Sequence, residues 1–173
     1  MREEYLNLVE EEDTQRDKYL IFSLGTEEYG IEIKNVIEII GMQTITEIPD
    51  IPSCVKGIIN LRGKIIPVMD IRLRFNKEAR DYDDRTCIVV IEIERDSLGL
   101  VVDRVIEVAG IAEEGISEPP SVSKSYYNSY IKGIAKLNNS VKLIVDCSKL
   151  VDSKDIHIIN KSLERGGEAN AMV

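Results

Sequence analysis

Residues 55–72 read VKGIINLRGKIIPVMDIR, and this stretch predicts a tight β-hairpin. Two apolar segments flank a short polar turn that contains Gly63. Glycine adopts backbone conformations that other residues rarely adopt, and strand-like runs on either side of such a turn are typical of a hairpin. An altered copy, IKGIAKLNNSVKLIVDC, follows at residues 131–147. The chain therefore carries one small β-unit twice.

The repeat extends outward from the hairpins. Residues 30–41 align with residues 99–110, whereas the hairpins align at a slightly larger offset. The identical pairs are Gly30/Gly99, Val36/Val105, Ile37/Ile106, Glu38/Glu107, Gly41/Gly110, Lys56/Lys132, Gly57/Gly133, Ile58/Ile134, Leu61/Leu137 and Asp70/Asp146. Each copy predicts about five short strands, and a unit of roughly 65 residues is only marginally stable alone. We expect the copies to pack as a pseudo-two-fold pair, in which each barrel either closes on itself or borrows strands from the other.

The repeat separates structural from functional candidates. Features present in both copies are explained by the fold, whereas features present in one copy are free to serve function. The first turn, Arg-Gly-Lys at residues 62–64, is cationic, and its counterpart, Asn-Asn-Ser at residues 138–140, is neutral. The first turn is therefore the stronger functional candidate.

Composition excludes several classes of function. The 173 residues include 31 acidic and 22 basic side chains, and the net charge is −9. This balance disfavours a general nucleic-acid binder, whose affinity comes mostly from basic residues on phosphates. It equally disfavours binding to an anionic membrane surface.

The sequence also indicates a compartment. No apolar run approaches the roughly 18–20 residues of a membrane-spanning helix, and the acidic N-terminus is unlike a signal peptide. The three cysteines, Cys54, Cys87 and Cys147, are odd in number and form no C-x-x-C motif. Free, buried thiols in a reducing cytosol are expected, so we predict a cytoplasmic protein.

The pattern along the chain predicts an all-β protein. Strand-like runs recur at close spacing, and no stretch sustains a helical period until a short helix that we predict near the C-terminus. The polar residues 76–85 form the clearest linker, and residues 115–130 read as a second long loop. The predicted segments are an acidic tail (1–16), a first barrel (17–80), a second barrel (81–150), and a short helix with a mobile end (151–173).

No catalytic or cofactor motif is present in the sequence. The run 57–64 has five residues between its glycines where a phosphate-binding loop needs four, and Ile65 stands where Ser or Thr would hold magnesium. The single histidine, His157, is far in sequence from any cysteine, so a structural role is favoured over metal binding. A nucleotide- or metal-dependent enzyme on a β-barrel scaffold is therefore the weaker hypothesis.

These residues together resemble the CheW family of bacterial chemotaxis coupling proteins. The resemblance covers about residues 17–150 and both copies of the repeat. The stretches that carry it are Tyr29-Gly30-Ile31, Val36-Ile37-Glu38, Val55-Lys56-Gly57-Ile58-Ile59-Asn60-Leu61-Arg62-Gly63, Ile66-Pro67-Val68-Met69-Asp70, Gly99-Leu100-Val101-Val102-Asp103 with Val105, and Ile131-Lys132-Gly133-Ile134.

The resemblance implies a fold and a function. The fold would be two SH3-like five-stranded barrels joined through a hydrophobic core. The function would be a non-catalytic adaptor, without cofactor or metal, that links methyl-accepting chemoreceptors to the chemotaxis histidine kinase in receptor arrays. The receptor's cytoplasmic tip would dock between the barrels, and the kinase would bind through its own related module. A regulatory module excised from a larger kinase is the alternative within this family.

The resemblance also implies site residues. The receptor contacts would be Val36, Glu38, Gly57, Arg62, Val105 and Val108. The kinase contacts would be Leu24, Tyr29 and Ile31, on an edge of the first barrel. Three of these residues, Val36, Glu38 and Gly57, recur in the second copy, so the fold alone explains them. Arg62 is absent from the second copy and is the strongest single candidate.

Overall fold

The structure is a computed structural model that describes residues 16–119, 130–151 and 155. Its described part is built almost entirely from β-strands, which confirms the predicted all-β class. The strands are β1 (Lys18–Leu24), β2 (Glu27–Glu32), β3 (Val36–Gly41), β4 (Val55–Leu61), β5 (Lys64–Asp70), β6 (Cys87–Ile93), β7 (Asp96–Val102), β8 (Arg104–Gly110), β9 (Ile116–Ser117), β10 (Ile131–Leu137) and β11 (Ser140–Val145). One helical turn, α1 (Ile71–Arg74), follows β5.

The strands form two sheets that correspond to the two expected SH3-like barrels. One sheet has the order β3-β6-β7-β5-β4 and is a continuous part of the chain, residues 36–102; we call it the contiguous barrel. The other has the order β8-β1-β2-β11-β10-β9 and is made from both sides of that segment; we call it the composite barrel. The contiguous barrel is thus inserted between β2 and β8 of the composite barrel.

This arrangement answers the question of strand exchange. In the repeat, β1 and β2 of the first copy correspond to β6 and β7 of the second. In the structure, β1 and β2 lie in one sheet with β8 to β11 of the second copy, and β6 and β7 lie in the other sheet with β3 to β5 of the first copy. Four pairings join one copy to the other: the parallel pairs β5–β7 and β11–β2, and the antiparallel pairs β1–β8 and β3–β6. The ranges 17–80 and 81–150 therefore describe the two copies of the repeat, whereas each sheet combines strands from both.

Three hydrophobic clusters follow from the alternation of side chains along the strands. One lies inside the contiguous barrel and one inside the composite barrel. The third and largest, the central cluster, lies between the barrels and draws on both. In β1, for example, Tyr19 and Ile21 face the composite barrel's own core, whereas Leu20 and Phe22 face the central cluster. This double burial explains the nearly unbroken apolar runs in β1 and β6.

The repeat is also visible in local detail. Asp70 ends β5 and Asp146 directly follows β11, and each carboxylate accepts a hydrogen bond from the backbone N–H two residues later. The predicted linker, residues 76–85, is without helix or strand. Most of the predicted acidic tail, part of the 115–130 loop and most of the predicted C-terminal helix lie outside the described residues.

Candidate functional site

Closure of the contiguous barrel brings two of the predicted receptor-contact residues together. Glu38 lies on β3 and Arg62 at the tip of the β4–β5 hairpin, and these strands are the first and last of the sheet. Just after β3, the backbone of Thr46 exchanges two 2.9 Å hydrogen bonds with Ile58 of β4, which closes the sheet on itself. The hairpin tip is therefore held beside β3.

Arg62 and Glu38 form a two-pronged ion pair. Arg62 Nη1 donates to Glu38 Oε1 at 3.0 Å, and Nη2 donates to Oε2 at 2.7 Å. The Arg62 side chain remains 76% exposed, and that of Glu38 is 22% exposed. An exposed pair of this kind contributes only about 0–1 kcal/mol to stability. The pair therefore matters more as an oriented polar surface than as a support of the fold.

The backbone of the hairpin tip fixes where the guanidinium lies. Arg62 and Gly63 both have positive φ, 52° and 84°, as the two central residues of a two-residue turn of type I′ do. In the second hairpin Asn138 and Asn139 adopt φ of 53° and 63°. Asparagine tolerates this conformation, so the turn is kept in both copies and only its charge differs.

Gly57 has a structural role that explains its presence in both copies. Its φ is +148°, and a Cβ built on it would lie 2.1 Å from the carbonyl oxygen of Thr46. Its counterpart Gly133 would place a Cβ 2.3 Å from Cγ2 of Ile116. At each position another segment passes directly over the glycine, so Gly57 supports the site by allowing the barrel to close.

The three valines of the predicted receptor set lie on the edge strands of the two sheets. Val36 is on β3, at one edge of the contiguous barrel, and Val105 and Val108 are on β8, at one edge of the composite barrel. Val36 and Val105 are partly buried against the central cluster, whereas Val108 is 53% exposed. Val36 and Val105 therefore approach the same inter-barrel core from different barrels.

Further exposed apolar side chains accompany these residues, and of these only Val108 is among the contacts predicted from the sequence. Six of the exposed large hydrophobic residues in the described part of the chain form three pairs related by the repeat: Ile37/Ile106, Ile39/Val108 and Ile65/Val141. Ile37 and Ile106 each sit at a register shift in the edge strand. The comparison of the two repeat copies contains a signal for these residues, because both copies keep apolar side chains at strand positions that the barrel core does not use.

The predicted kinase-contact residues are placed differently from what the sequence suggested. Leu24, Tyr29 and Ile31 are at most 2% exposed and belong to the central cluster. Their strands are interior strands, since β1 lies between β8 and β2, and β2 lies between β1 and β11. The expected barrel edge is covered by strands of the other repeat copy, so these side chains support the inter-barrel core and face no solvent.

Two of the thiols are poor nucleophiles. None of the three cysteines forms a disulfide bond, and burial raises the pKa of Cys147 to about 12 and also raises that of Cys87. Within residues 16–119, 130–151 and 155, no group of His, Cys, Asp and Glu side chains is arranged to hold a metal ion. No helix in this same part of the chain is long and apolar enough to cross a bilayer.

Comparison with known proteins gives consistent matches over most of the chain. The family model of the CheW-like domain matches residues 18–155. A chemotaxis protein CheW from Klebsiella aerogenes is 34% identical over 148 residues, 86% of this chain and 89% of that protein. One from Treponema pallidum is 35% identical over 139 residues, 78% and 82% of the two chains. The crystal structure of the scaffolding protein TtCheW from Thermoanaerobacter tengcongensis superimposes with a TM-score of 0.74 at 38% identity, covering 80% of this chain and 94% of that one.

Proposed function

The chain belongs to the CheW family, and from that premise we propose that it is a non-catalytic chemotaxis adaptor. It couples methyl-accepting chemoreceptors to the chemotaxis histidine kinase in cytoplasmic receptor arrays. The names of its relatives, chemotaxis proteins and a scaffolding protein, support this function.

The receptor contact is proposed at the Glu38–Arg62 ion pair and the neighbouring edge strands. The observation that supports this proposal is that Glu38 and Arg62, both implied by the family resemblance, form an exposed two-pronged ion pair that adds little to stability. A receptor helix would bind through polar contacts to this pair and apolar contacts to Val36, Val105 and Val108. Gly57 belongs to the same site indirectly, because its lack of a side chain permits the closure that presents Arg62.

The kinase contact is proposed with the related module of the kinase, on the surface of one barrel. Leu24, Tyr29 and Ile31 would contribute to it as buried supports of β1 and β2, since none of them is exposed. Substitutions at these positions are therefore expected to act first on folding. If such a substitution abolishes kinase binding, the stability of the variant must be measured as well, because an unfolded variant would also fail to bind.

The Arg62→Glu variant tests the receptor contact. We expect the affinity for a receptor cytoplasmic-tip fragment to fall at least about tenfold, because hydrogen bonds made by a charged group contribute roughly 1.5–3 kcal/mol. Binding can be measured by titration calorimetry, together with the thermal midpoint of unfolding. The fold should survive, since the Arg62 side chain is mostly exposed.

The second hairpin supplies the matched control. Asn138→Glu introduces the same side chain at the corresponding turn position, where φ is 53° against 52° at Arg62. We expect this control to keep receptor affinity. Equal affinity in Arg62→Glu and Asn138→Glu, with both folded, would show that the receptor does not bind at the first hairpin tip.

A further inference from the structure

A largely buried carboxylate lies where the chain passes from one barrel to the other. Asp103 stands between β7, the last strand of the contiguous barrel, and β8, the next strand of the composite barrel. It accepts hydrogen bonds from Arg72 Nε at 2.7 Å, from the backbone N–H of Gly25 at 2.7 Å and from Arg80 Nη1 at 3.2 Å. Arg72 Nη2 donates to the same carboxylate, so the Arg72 contact is also two-pronged.

The partners of Asp103 come from both barrels. Arg72 belongs to α1, which follows β5 of the contiguous barrel, and Gly25 is in the β1–β2 turn of the composite barrel. The side chains of Asp103 and Arg72 are only 13% and 15% exposed. Burial is the largest single influence on Asp103 and opposes its ionisation, but the hydrogen bonds from Arg72 and Gly25 and the charges of Arg72 and Arg80 together lower the pKa of Asp103. We call Asp103, Arg72 and Gly25 the clamp.

The same helical turn reaches the composite barrel a second time. Arg74 Nε donates to the carbonyl oxygen of Leu150 at 2.6 Å, and its guanidinium lies 4.9 Å from the centre of the Tyr130 ring. Both contacts join α1 to the end of the composite barrel. α1 is therefore fixed to that barrel by arginines on two sides.

The repeat shows that the clamp exists in only one of two corresponding places. The three residue pairs related by the repeat are Asp103/Lys34, Arg72/Ser148 and Gly25/Glu94. The second set cannot form a clamp, because Ser148 is too short to replace an arginine. Lys34, Glu94 and Ser148 instead line an open cleft of about 330 Å³. One junction between the barrels is closed by charge-assisted hydrogen bonds, and the corresponding junction is open.

The two junctions directly precede the two edge strands of the proposed receptor site. The clamp is followed by β8, which carries Val105 and Val108, and the cleft side is followed by β3, which carries Val36 and Glu38. We propose that Asp103, held by Arg72, is a positioning residue that fixes β8 relative to the contiguous barrel and so sets the spacing of the two edge strands for the receptor. This inference rests on the proposed function.

The Asp103→Asn variant of the full chain tests the inference with two measurements. The first uses spin labels at the exposed positions Arg95 of the contiguous barrel and Lys136 of the composite barrel, with Cys87 replaced by alanine. We expect a broader distribution of label-to-label distances, measured by pulsed electron paramagnetic resonance. The second measures affinity for the receptor-tip fragment, which we expect to fall about tenfold, within the usual range of coupling between sites. Affinity for the kinase's related module should be unchanged, because that contact is proposed on one barrel.

Asp96→Asn is the matched control, because it removes the same charge from an exposed aspartate of the contiguous barrel. If Asp103→Asn does not fold, Arg72→Lys keeps the charge and removes the two-pronged geometry, and the same results are expected. A distance distribution identical to that of Asp96→Asn, or an unchanged receptor affinity in a folded variant, would overturn the inference. Failure of the unmodified chain to bind the receptor fragment would instead overturn the proposed function, and the distance measurement distinguishes the two because it needs no receptor.

Discussion

A Gly57→Ala protein is expected to lose about 3 kcal/mol or more of its free energy of unfolding, since a side chain at positive φ and a steric overlap both oppose the folded state. The added Cβ would lie 2.1 Å from the Thr46 carbonyl oxygen, which is backbone and is itself held by the 2.9 Å hydrogen bond from Ile58. No rotation of a flexible side chain can relieve this overlap. Chemical denaturation followed by circular dichroism would measure the loss.

Gly41→Ala is the matched control for this experiment. Gly41 ends β3 of the same barrel, and a Cβ built on it meets no atom within 4 Å. We expect its stability to stay within about 0.5 kcal/mol of the unmodified chain, as for most surface changes. If Gly57→Ala were as stable as Gly41→Ala, the close crossing of Thr46 over β4 could not be present in solution. If Gly57→Ala also binds the receptor poorly, we attribute the defect to the opened barrel and not to the loss of a direct contact between Gly57 and the receptor.

The second large effect concerns fragments of the chain. A fragment of residues 17–80, one copy of the repeat, is expected to be unfolded, because β1 and β2 lose β8 and β11, and β3 loses β6. A fragment of residues 34–103 keeps all five strands of the contiguous barrel and the whole of its inner cluster. We expect this second fragment to keep β-sheet structure and to self-associate through its exposed half of the central cluster. Far-UV circular dichroism and gel filtration would distinguish the two.

Mixing complementary fragments provides the control. Residues 17–80 and 81–150 together contain every strand that the structure describes, so we expect the mixture to regain β-sheet structure that neither has alone. Independent folding of residues 17–80 would contradict the exchange of strands between the copies. The experiment therefore distinguishes two architectures: two barrels that follow each other along the chain, and two barrels that each contain strands from both halves of the chain.

The individual strands could be predicted from the sequence, but the strands with which they pair could not. The strand runs, the hairpin turn and the repeat all depend on local patterns, and the structure has them where the pattern indicates. Strand exchange is different, because the two copies are so similar that a strand such as β5 finds equivalent partners in either β2 or β7. The sequence alone does not distinguish these pairings, and only the parallel contact of β5 with β7 decides between them.

The pairing of strands also decides where the predicted site residues lie. The family resemblance implies both Glu38 and Arg62, but their contact depends on the closure of a sheet whose first and last strands carry them. Tyr29 and Ile31 were expected at an edge, but β11 of the other copy covers β2. Asp103 lies in one of the stretches that resemble the family, and the resemblance implies no role for it. The available signal was its mismatch with Lys34 inside otherwise similar segments.

The insertion of one barrel inside the other has a consequence for synthesis of the chain. The β1–β2 hairpin leaves the ribosome before the other strands, but its partner β8 follows only after about 70 residues of the contiguous barrel, and β11 follows later still. At roughly 5–20 residues per second, this delay is on the order of 4–14 s. During that time the apolar faces of β1 and β2 have no strand to cover them, while the contiguous barrel can already form. Of the strands that the structure describes, β2 therefore waits longest for a partner, and its apolar face is exposed to aggregation during that time.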